Sequence, residues 1–234
     1  MTQLKLFGKR RKDRRGGARA GAGRPKVEGS GESHLTRRGL KKNQAVHVTV
    51  RLRPRLRNLR ARNIYKMVRR AFCHACLRFF RIVHYSVQGN HIHLICEASD
   101  KDALAKGMQG FSIRVAKGLN RIMKRSGKVF ADRYNAQYIS TPRHARNALR
   151  YVLNNVRKHA YRMGDRKALE RSFVDPCSSG AYFDGWTRAS LKYVPDPDTG
   201  TPPVARPQTW LLRVGWRKYH PLIATWEFPA DQGG

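Results

Sequence analysis

The succession of apolar patterns between Gln44 and Tyr161 constrains the fold of this chain more than any other feature. Apolar residues alternate with polar residues from Val46 to Leu52, which is the period of a strand buried on one side. Two more strand-like runs, Phe79–Val87 and His91–Ala98, are joined by a Gln-Gly-Asn turn typical of a hairpin. We therefore predict three strands, two of them antiparallel neighbours in one sheet.

Helical spacing of apolar residues predicts two helices that alternate with these strands. The first follows the alternating strand, has Asn58 as a candidate N-cap and runs to about Leu77. The second begins at Ser99 and Asp100 and ends near the Ser126-Gly127 stop signal.

A short strand near Ala136–Ile139 and a last helix complete the pattern. Thr141 is placed to cap this helix and Pro142 to occupy its first position, and the helix is expected to reach about Ala160. The order strand, helix, strand, strand, helix, strand predicts an α+β fold of the ferredoxin-like split β-α-β type, with an antiparallel sheet and two helices on one face. The last helix, which carries Tyr151, is left to cover the other face.

The charge of the chain indicates its partner. Lys and Arg number 49 against 15 Asp and Glu, which gives a formal net charge of +34. An excess of this size is typical of proteins that bind a polyanion, and nucleic acid is the obvious one. The sequence has neither the run of about 18 apolar residues of a membrane span nor the apolar core of a signal peptide. We expect a soluble cytoplasmic protein, associated with the nucleoid and not with a membrane.

Composition divides the chain into three parts. Residues 1–44 are rich in Lys, Arg and Gly, which predicts a disordered basic DNA-binding arm. Residues 45–162 form the expected compact domain. Residues 163–234 form an extension rich in proline and aromatic residues, to which the sequence assigns no role and in which only Thr209–Tyr219 has the pattern of a short helix.

Several basic residues are candidates for DNA contacts. In the arm, Gly23-Arg24-Pro25-Lys26 resembles the core of an AT-hook, so Arg24 and Lys26 either enter a minor groove or simply attract phosphates. In the compact domain, Arg51 and Arg53 lie on the polar face of the first strand, and Lys158 lies on the last helix.

The cysteines favour reduced thiols. Four cysteines are too few for a secreted disulfide scaffold in a chain of 234 residues. Cys73 and Cys76 have the spacing of half a zinc site, but no second pair follows at finger spacing. We expect them to be buried thiols.

Two histidines on one strand are candidate metal ligands. His91 and His93 lie two residues apart, so their imidazoles share one face of the strand, while Ile92 and its apolar neighbours face the helices. Imidazole pairs bind first-row metal ions. On its own, such a pair is more often two half-buried strand histidines than a metal site.

The last helix carries the second group of candidates. Tyr151 and Asn155 are four residues apart and therefore share a helical face. A phenol and an amide beside a basic sheet suit phosphoryl transfer, although a tyrosine at such a position often only packs its ring on the sheet. Tyr134 and Tyr138 are rival nucleophiles, but neither has an amide four residues on in a helix.

These motifs carry a family resemblance. The segments "QGNHIHLICEA" and "ALRYVLNNVRKHA" resemble the paired motifs of the single-tyrosine HUH transposases, especially the REP-associated tyrosine transposases, over residues 46–161. The resemblance implies that His91, His93 and the amide oxygen of Asn155 hold Mg²⁺ or Mn²⁺, and that Tyr151 is the nucleophile. It also implies metal-dependent nicking and rejoining of single-stranded or hairpin DNA through a 5′-phosphotyrosine.

Two departures from the family pattern leave points open. The side chain of Asn155 is shorter than the glutamine of insertion-sequence relatives, so Asn154 is a rival third ligand. Val156 stands where the REP-associated branch often has proline, so we expect the helix to run on.

Two other functions share part of this pattern. An RNA-binding module has the same strand order, but it presents aromatic residues where this chain has His91 and His93. A cleavage-dead descendant that only binds DNA hairpins is disfavoured by the intact Tyr151 and Asn155. The sequence leaves open the target DNA, the mobile or domesticated role, and whether the protein acts as a monomer or a homodimer.

Overall fold

The computed structural model describes residues 39–40 and 44–229. Most of the predicted basic arm, with Arg24, Lys26 and the AT-hook-like tetrapeptide, lies outside the described residues. Within the described residues, no helix is both long enough and apolar enough to cross a bilayer.

One antiparallel sheet organises the protein. Its strands are β1 (Gln44–Arg51), β2 (Phe80–Val87), β3 (His91–Ala98) and β4 (Asn135–Tyr138), in the order β2-β3-β1-β4. The prediction of an antiparallel sheet in a mixed α/β protein is confirmed.

Two helices cover one face of the sheet. Helices α1 (Arg62–Cys73) and α2 (Lys101–Ile122) enclose the larger core with the alternating apolar side chains of β1 and β3, among them Val48 and Leu94. As predicted, Asp100 caps α2, because its side chain accepts hydrogen bonds from two backbone N–H groups of the first turn.

The predicted cap of α1 is wrong. The helix begins at Arg62 with Ala61 in the cap position, and no side chain caps it. The Oδ1 of Asn58 accepts a hydrogen bond from the backbone N–H of Arg60 instead, at 2.9 Å. Asn58 therefore stabilises the turn that precedes the helix.

Helix α3 (Pro142–Leu153) packs on the opposite face of the sheet. Thr141 caps it by accepting a hydrogen bond from the N–H of His144, and Pro142 opens it, as predicted. Its buried residues, such as Leu149 and Val152, form a second core with Ile95 of β3.

The last helix does not run on from Pro142 to Ala160 as predicted. Asn154 leaves the helical conformation, with φ −103° and ψ 14°, and a second helix, α4 (Asn155–Met163), follows at once. Gly164 ends α4 in the left-handed region, with φ 70°.

The C-terminal extension completes the second core. It contains α5 (Arg166–Leu169), α6 (Arg188–Leu191) and α7 (Trp216–Tyr219), the last preceded by a π-helical turn, Leu211–Gly215. The expected helix over Thr209–Tyr219 is thus confirmed as an uninterrupted helical stretch that begins with a π-helical turn. Large side chains of the extension pack with α3 on the sheet: Phe183, Trp186, Leu212, Trp216 and Ile223.

The cysteine prediction is correct in part. All four thiols are free, but only Cys96 and Cys177 are buried, whereas Cys73 is partly buried and Cys76 is exposed. The Sγ of Cys73 donates to the carbonyl oxygen of Thr201 at 3.5 Å. The expectation that the Cys73–Cys76 pair is buried is therefore wrong for Cys76.

One buried histidine outside the candidate site makes the fold sensitive to pH. His84 of β2 lies with its Nδ1 3.2 Å from the Oγ of Ser179 and its ring edge-on to Phe183. Burial lowers the pKa of His84 to about 4.

We expect the free energy of unfolding to fall as the pH drops from about 6 to about 4. The unfolded chain protonates His84 near pH 6.5 and the folded chain only near pH 4, so protons favour the unfolded state in this window. His84 alone contributes a slope of up to about 1.4 kcal/mol per pH unit. Urea unfolding of the wild type and of His84→Gln at several pH values measures the difference.

His74 provides the control for this measurement, because it is exposed at the end of α1. His74→Gln should retain the slope of the wild type. If His84→Gln also retains it, the neutral buried imidazole is not the cause.

Candidate active site

β3 presents two histidines to the sheet face that α3 covers. The ring centroids of His91 and His93 are 4.8 Å apart, and the ring planes cross at 87°. The Nδ1 of His91 lies 2.8 Å from the Oδ1 of Asn90, which makes Nδ1 the protonated nitrogen of the neutral ring and leaves Nε2 with a lone pair. Strand alternation thus brings the two imidazoles together.

The two ring nitrogens of His93 have different surroundings. Nδ1 lies 3.1 Å from the hydroxyl oxygen of Thr49 and 3.3 Å from the Nε2 of His47. Nε2 is buried and has no hydrogen-bond partner. Because Nδ1 is engaged, Nε2 is the nitrogen of His93 that is able to bind an ion.

Tyr151 reaches these histidines from α3. Its ring centroid is 5.2 Å from that of His93 and 5.7 Å from that of His47, edge-on in both cases. The Nζ of Lys158 lies 5.8 Å from the centre of the same ring. The phenol is only partly buried, so it lies beside the imidazoles with part of its surface exposed.

The side chains of Asn154 and Asn155 have opposite environments. The amide nitrogen of Asn154 donates to the carbonyl oxygens of Ala224 at 3.0 Å and Glu227 at 2.8 Å. Asn155 is fully buried, and both its amide oxygen and its amide nitrogen lack a partner. An unmade hydrogen bond in a buried place costs about 1–3 kcal/mol, so Asn155 has the amide that a ligand would satisfy. Of the two rival amides, the one without a hydrogen-bond partner is that of Asn155.

Two more histidines, neither of them predicted as a site residue, lie within ring-contact distance of the candidate ligands. His47 of β1 stacks on His93 with ring centroids 5.3 Å apart, and His159 of α4 lies 5.4 Å from His91. The sequence contains a signal for each. His47 lies on the polar face of β1, and His159 follows Asn155 by one helical turn and so shares its helical face.

The imidazoles are held in their neutral form. Burial, with smaller effects of His159 and Arg51, lowers the pKa of His91 to about 4. Burial and the neighbouring His47 and His91 lower the pKa of His93 well below its ordinary value. Neutral imidazoles keep a lone pair available, which is the state that binds metal ions.

The C-terminal extension fixes the position of α3 and α4. Glu227 accepts hydrogen bonds from Arg146 and Arg150 of α3, the shortest at 2.8 Å in each case. In α4, the buried guanidinium of Arg157 donates to four backbone carbonyls, those of Leu169, Glu170, Phe173 and Thr225. These contacts hold both sides of the break at Asn154.

The rival tyrosines lie elsewhere. Tyr134 and Tyr138 pack against the larger core, on the sheet face opposite the histidines. Tyr151 belongs instead to the second core, with α3. Tyr151 contacts the His93 ring.

The predicted DNA-binding residues within the described region have different positions. Arg51 is exposed and pairs in register with His91, so it borders the site. Lys158 lies beside Tyr151. Arg53 is exposed beyond the end of β1, where its backbone N–H donates to the carbonyl oxygen of Val129.

The donor atoms fit a metal ion of mixed ligation. Within the described part of the chain, no group of three or more His, Cys, Asp or Glu side chains is placed to hold a metal ion. The candidate set is His91 and His93 with the amide oxygen of Asn155, a combination of nitrogen and oxygen donors. The unpartnered Nε2 of His93 and Oδ1 of Asn155 fit this role, because an ion would satisfy both buried atoms.

Comparison with known proteins identifies a structural neighbour. No protein-family model matches this chain, and no curated protein matches it significantly. Among solved structures, the chain is similar to one described as a REP-associated tyrosine transposase bound to a REP hairpin, with 19% identity, a TM-score of 0.52, and coverage of 76% of this chain and 100% of that chain. The likeness shows a shared fold.

We expect Glu227→Gln to lower the free energy of unfolding by about 2–3 kcal/mol, because it removes the counter-charge that Arg146 and Arg150 share. Asp198→Asn is the matched control, since the carboxylate of Asp198 is 72% exposed and its ion pair with Arg69 lies at the surface. Its loss should lower the free energy of unfolding by about 0.5 kcal/mol or less. Chemical denaturation measures both. Equal losses would show that Glu227 does not anchor α3.

Proposed function

We propose that this protein is a metal-dependent, single-strand DNA endonuclease and strand-transferase that uses Tyr151 as its nucleophile. The observation that carries the proposal is the position of the Tyr151 ring, which lies edge-on to the His93 ring with centroids 5.2 Å apart. The buried Nε2 of His93 and the buried amide of Asn155, both without hydrogen-bond partners, add to it. The fold shared with a REP-associated tyrosine transposase supports it. The sheet order, with helices on both faces, also supports the ferredoxin-like split arrangement.

In the proposed reaction, the phenolic oxygen of Tyr151 forms a bond to the scissile phosphorus, and the bond from phosphorus to the 3′ oxygen breaks. The phenol gives up its proton and the departing 3′ oxygen takes one up. The products are a 5′-phosphotyrosine and a free 3′-hydroxyl. One phosphodiester replaces another, so a 3′-hydroxyl of a second strand is able to reverse the step without ATP.

His91, His93 and Asn155 are the residues that would hold Mg²⁺ or Mn²⁺ at this site. When bound, such an ion supplies Lewis-acid polarisation of a phosphate oxygen. The residues around this set complete the environment. Thr49 and His47 orient the His93 ring through its Nδ1, and Lys158 places a positive charge near the Tyr151 ring.

The proposed substrate is single-stranded or hairpin DNA. The neighbour is bound to a REP hairpin, and the formal net charge of +34 requires a polyanionic partner. Arg51, in register with His91, and Lys158, near the Tyr151 ring, supply positive charge close to the histidines.

An RNA-recognition module is a weaker interpretation of the same strand order. Such modules bind bases on an open sheet face through aromatic residues. Here α3 packs over that face, and the central strand presents His91 and His93. A cleavage-dead descendant is also weaker, because Tyr151 and the histidines remain together in one site.

We expect Tyr151→Phe to bind single-stranded DNA nearly as well as the wild type and to form no covalent adduct, because only the phenolic oxygen makes the new bond. The probes are single-stranded DNA fragments from the flanks of the gene, incubated with Mn²⁺. Denaturing gels detect the adduct, and mass spectrometry of its digest identifies the modified residue.

Tyr134→Phe and Tyr138→Phe are the matched controls and should still form the adduct. A nucleotide attached to any residue other than Tyr151 would refute the assignment. Cleavage that persists in Tyr151→Phe would indicate attack by water instead.

We also expect His93→Ala and Asn155→Ala to weaken Mn²⁺ binding by about 10-fold or more, since each removes a buried donor with no other partner. Calorimetric titration of chelator-treated protein measures this directly, without any reaction. Excess Mn²⁺ should restore part of the cleavage in Asn155→Ala, and no metal concentration should restore it in Tyr151→Phe.

Asn154→Ala is the control for metal binding, because the Asn154 side chain donates to backbone carbonyls of the extension. It should lose stability and keep its Mn²⁺ affinity. A loss of affinity in Asn154→Ala with none in Asn155→Ala would reverse the ligand assignment.

A further inference from the structure

A basic cleft lies outside the candidate active site. It has a volume of about 310 Å³ and opens between the loop after β1 and the turn after α2. Its charged lining consists of four cations: Arg53, Arg55, Arg125 and Lys128. Pro54, Leu56 and Met123 supply an apolar part of the same lining.

The four cations have no acidic counter-charge. Among the described residues, none of them forms a salt bridge with an Asp or Glu. The guanidinium of Arg125 donates only to the Oδ1 of Asn120 and to the carbonyl oxygen of Lys128. Like charges that converge on one concave surface repel one another and raise the local concentration of anions.

The backbone around the cleft is unusual. Arg55, with φ 66°, and Lys124, with φ 49°, are the two residues other than glycine with positive φ in the described part of the chain. Arg55 lines the cleft, and Lys124 lies between two residues that do. Such conformations cost about 1–3 kcal/mol each and cluster at functional sites, so the chain accepts a cost where it places these cations.

The cleft lies at the end of the sheet that carries His91. Arg51 pairs in register with His91, and the N–H of Leu52 donates to the carbonyl oxygen of Asn90. The N–H of Arg53 then donates to the carbonyl oxygen of Val129, next to Lys128. Arg51 and Arg53 are two residues apart, at most about 7 Å along the chain. Positive charge therefore continues from the edge of the active site into the cleft.

We propose that this cleft binds phosphates of the DNA backbone outside the cleavage point, with a sugar or base against its apolar lining. This cleft would then be the place where the DNA strand leaves the active site, a role that rests on the proposed function. A phosphodiester chain suits the cleft better than a single small anion, because the cations form a continuous path with Arg51 and because neighbouring phosphates in a strand engage several cations at once.

The test compares two variants from which the same charge is removed. The cleft variant is Arg53→Gln/Arg55→Gln/Lys128→Gln, which leaves the hydrogen bonds of the Arg125 side chain intact. The control is Arg70→Gln/Lys101→Gln/Lys106→Gln, in which the three exposed cations lie in α1 and α2 and outside the cleft lining. Fluorescence anisotropy with a labelled DNA hairpin that carries a single-stranded 5′ extension gives the Kd at several salt concentrations.

We expect the cleft variant to bind about 10-fold or more weakly at 0.15 M salt and to lose about 2 units of the slope of log K against log salt, since each phosphate contact contributes about 0.7–0.9. The control should lose less than one unit. Equal slopes in the two variants would overturn the proposal. So would an effect of the cleft variant on an RNA hairpin with none on the DNA hairpin.

Two further measurements separate this proposal from related outcomes. At constant ionic strength, inorganic phosphate should not displace the hairpin from the wild type. If phosphate displaces the hairpin from the wild type and not from the cleft variant, the cleft is a small-anion site instead. Tyr151→Phe should retain the slope of the wild type. The test of the cleft therefore does not depend on whether Tyr151 cleaves DNA.

Discussion

The register in which β1 pairs with β3 determines which side chains of the sheet enter the larger core and which face the candidate active site. With Arg51 opposite His91 and Thr49 opposite His93, one set of alternating side chains enters the core with α1 and α2, and the other set faces α3. Because the side-chain period of a strand is two, a slip of one residue would put Val48 beside Tyr151 and bury His47 among the apolar residues of the larger core. The apolar core therefore specifies the position of the imidazoles.

The helix break at Asn154 is the second constraint, and it comes from far along the chain. Asn154 and Asn155 are identical side chains in adjacent positions, yet one is held by carbonyls of Ala224 and Glu227 and the other has no partner at all. The extension, which packs its aromatic residues against α3, supplies the contacts that separate them. The extension thus supplies the hydrogen-bond partners of the Asn154 amide, whereas the buried Asn155 amide has none among the described residues.

The sequence predicts the local features well and the distant ones poorly. Strand period, the hairpin, the caps at Asp100 and Thr141, and the shared face of His91 and His93 depend on neighbours a few residues away. The hydrogen bonds of the Asn154 side chain go to residues about 70 positions later, and His159 of α4 meets His91 of β3 through the tertiary structure alone. No periodic pattern in one sequence encodes such contacts, which is why the extension had no predicted role.

The electrostatics of the candidate site connect its parts. The proposed ligands, two imidazoles kept neutral by burial and one amide, carry no formal charge. Arg51 and Lys158 add positive charge nearby, so a divalent cation would be opposed by its surroundings until a phosphate arrives with negative charge. On the proposed function, ion and DNA would each strengthen the binding of the other, because their opposite charges attract and because linkage makes such a coupling equal in both directions. The net charge of +34 would attract DNA to the surface. The divalent ion would then bind mainly when DNA is already present at the site.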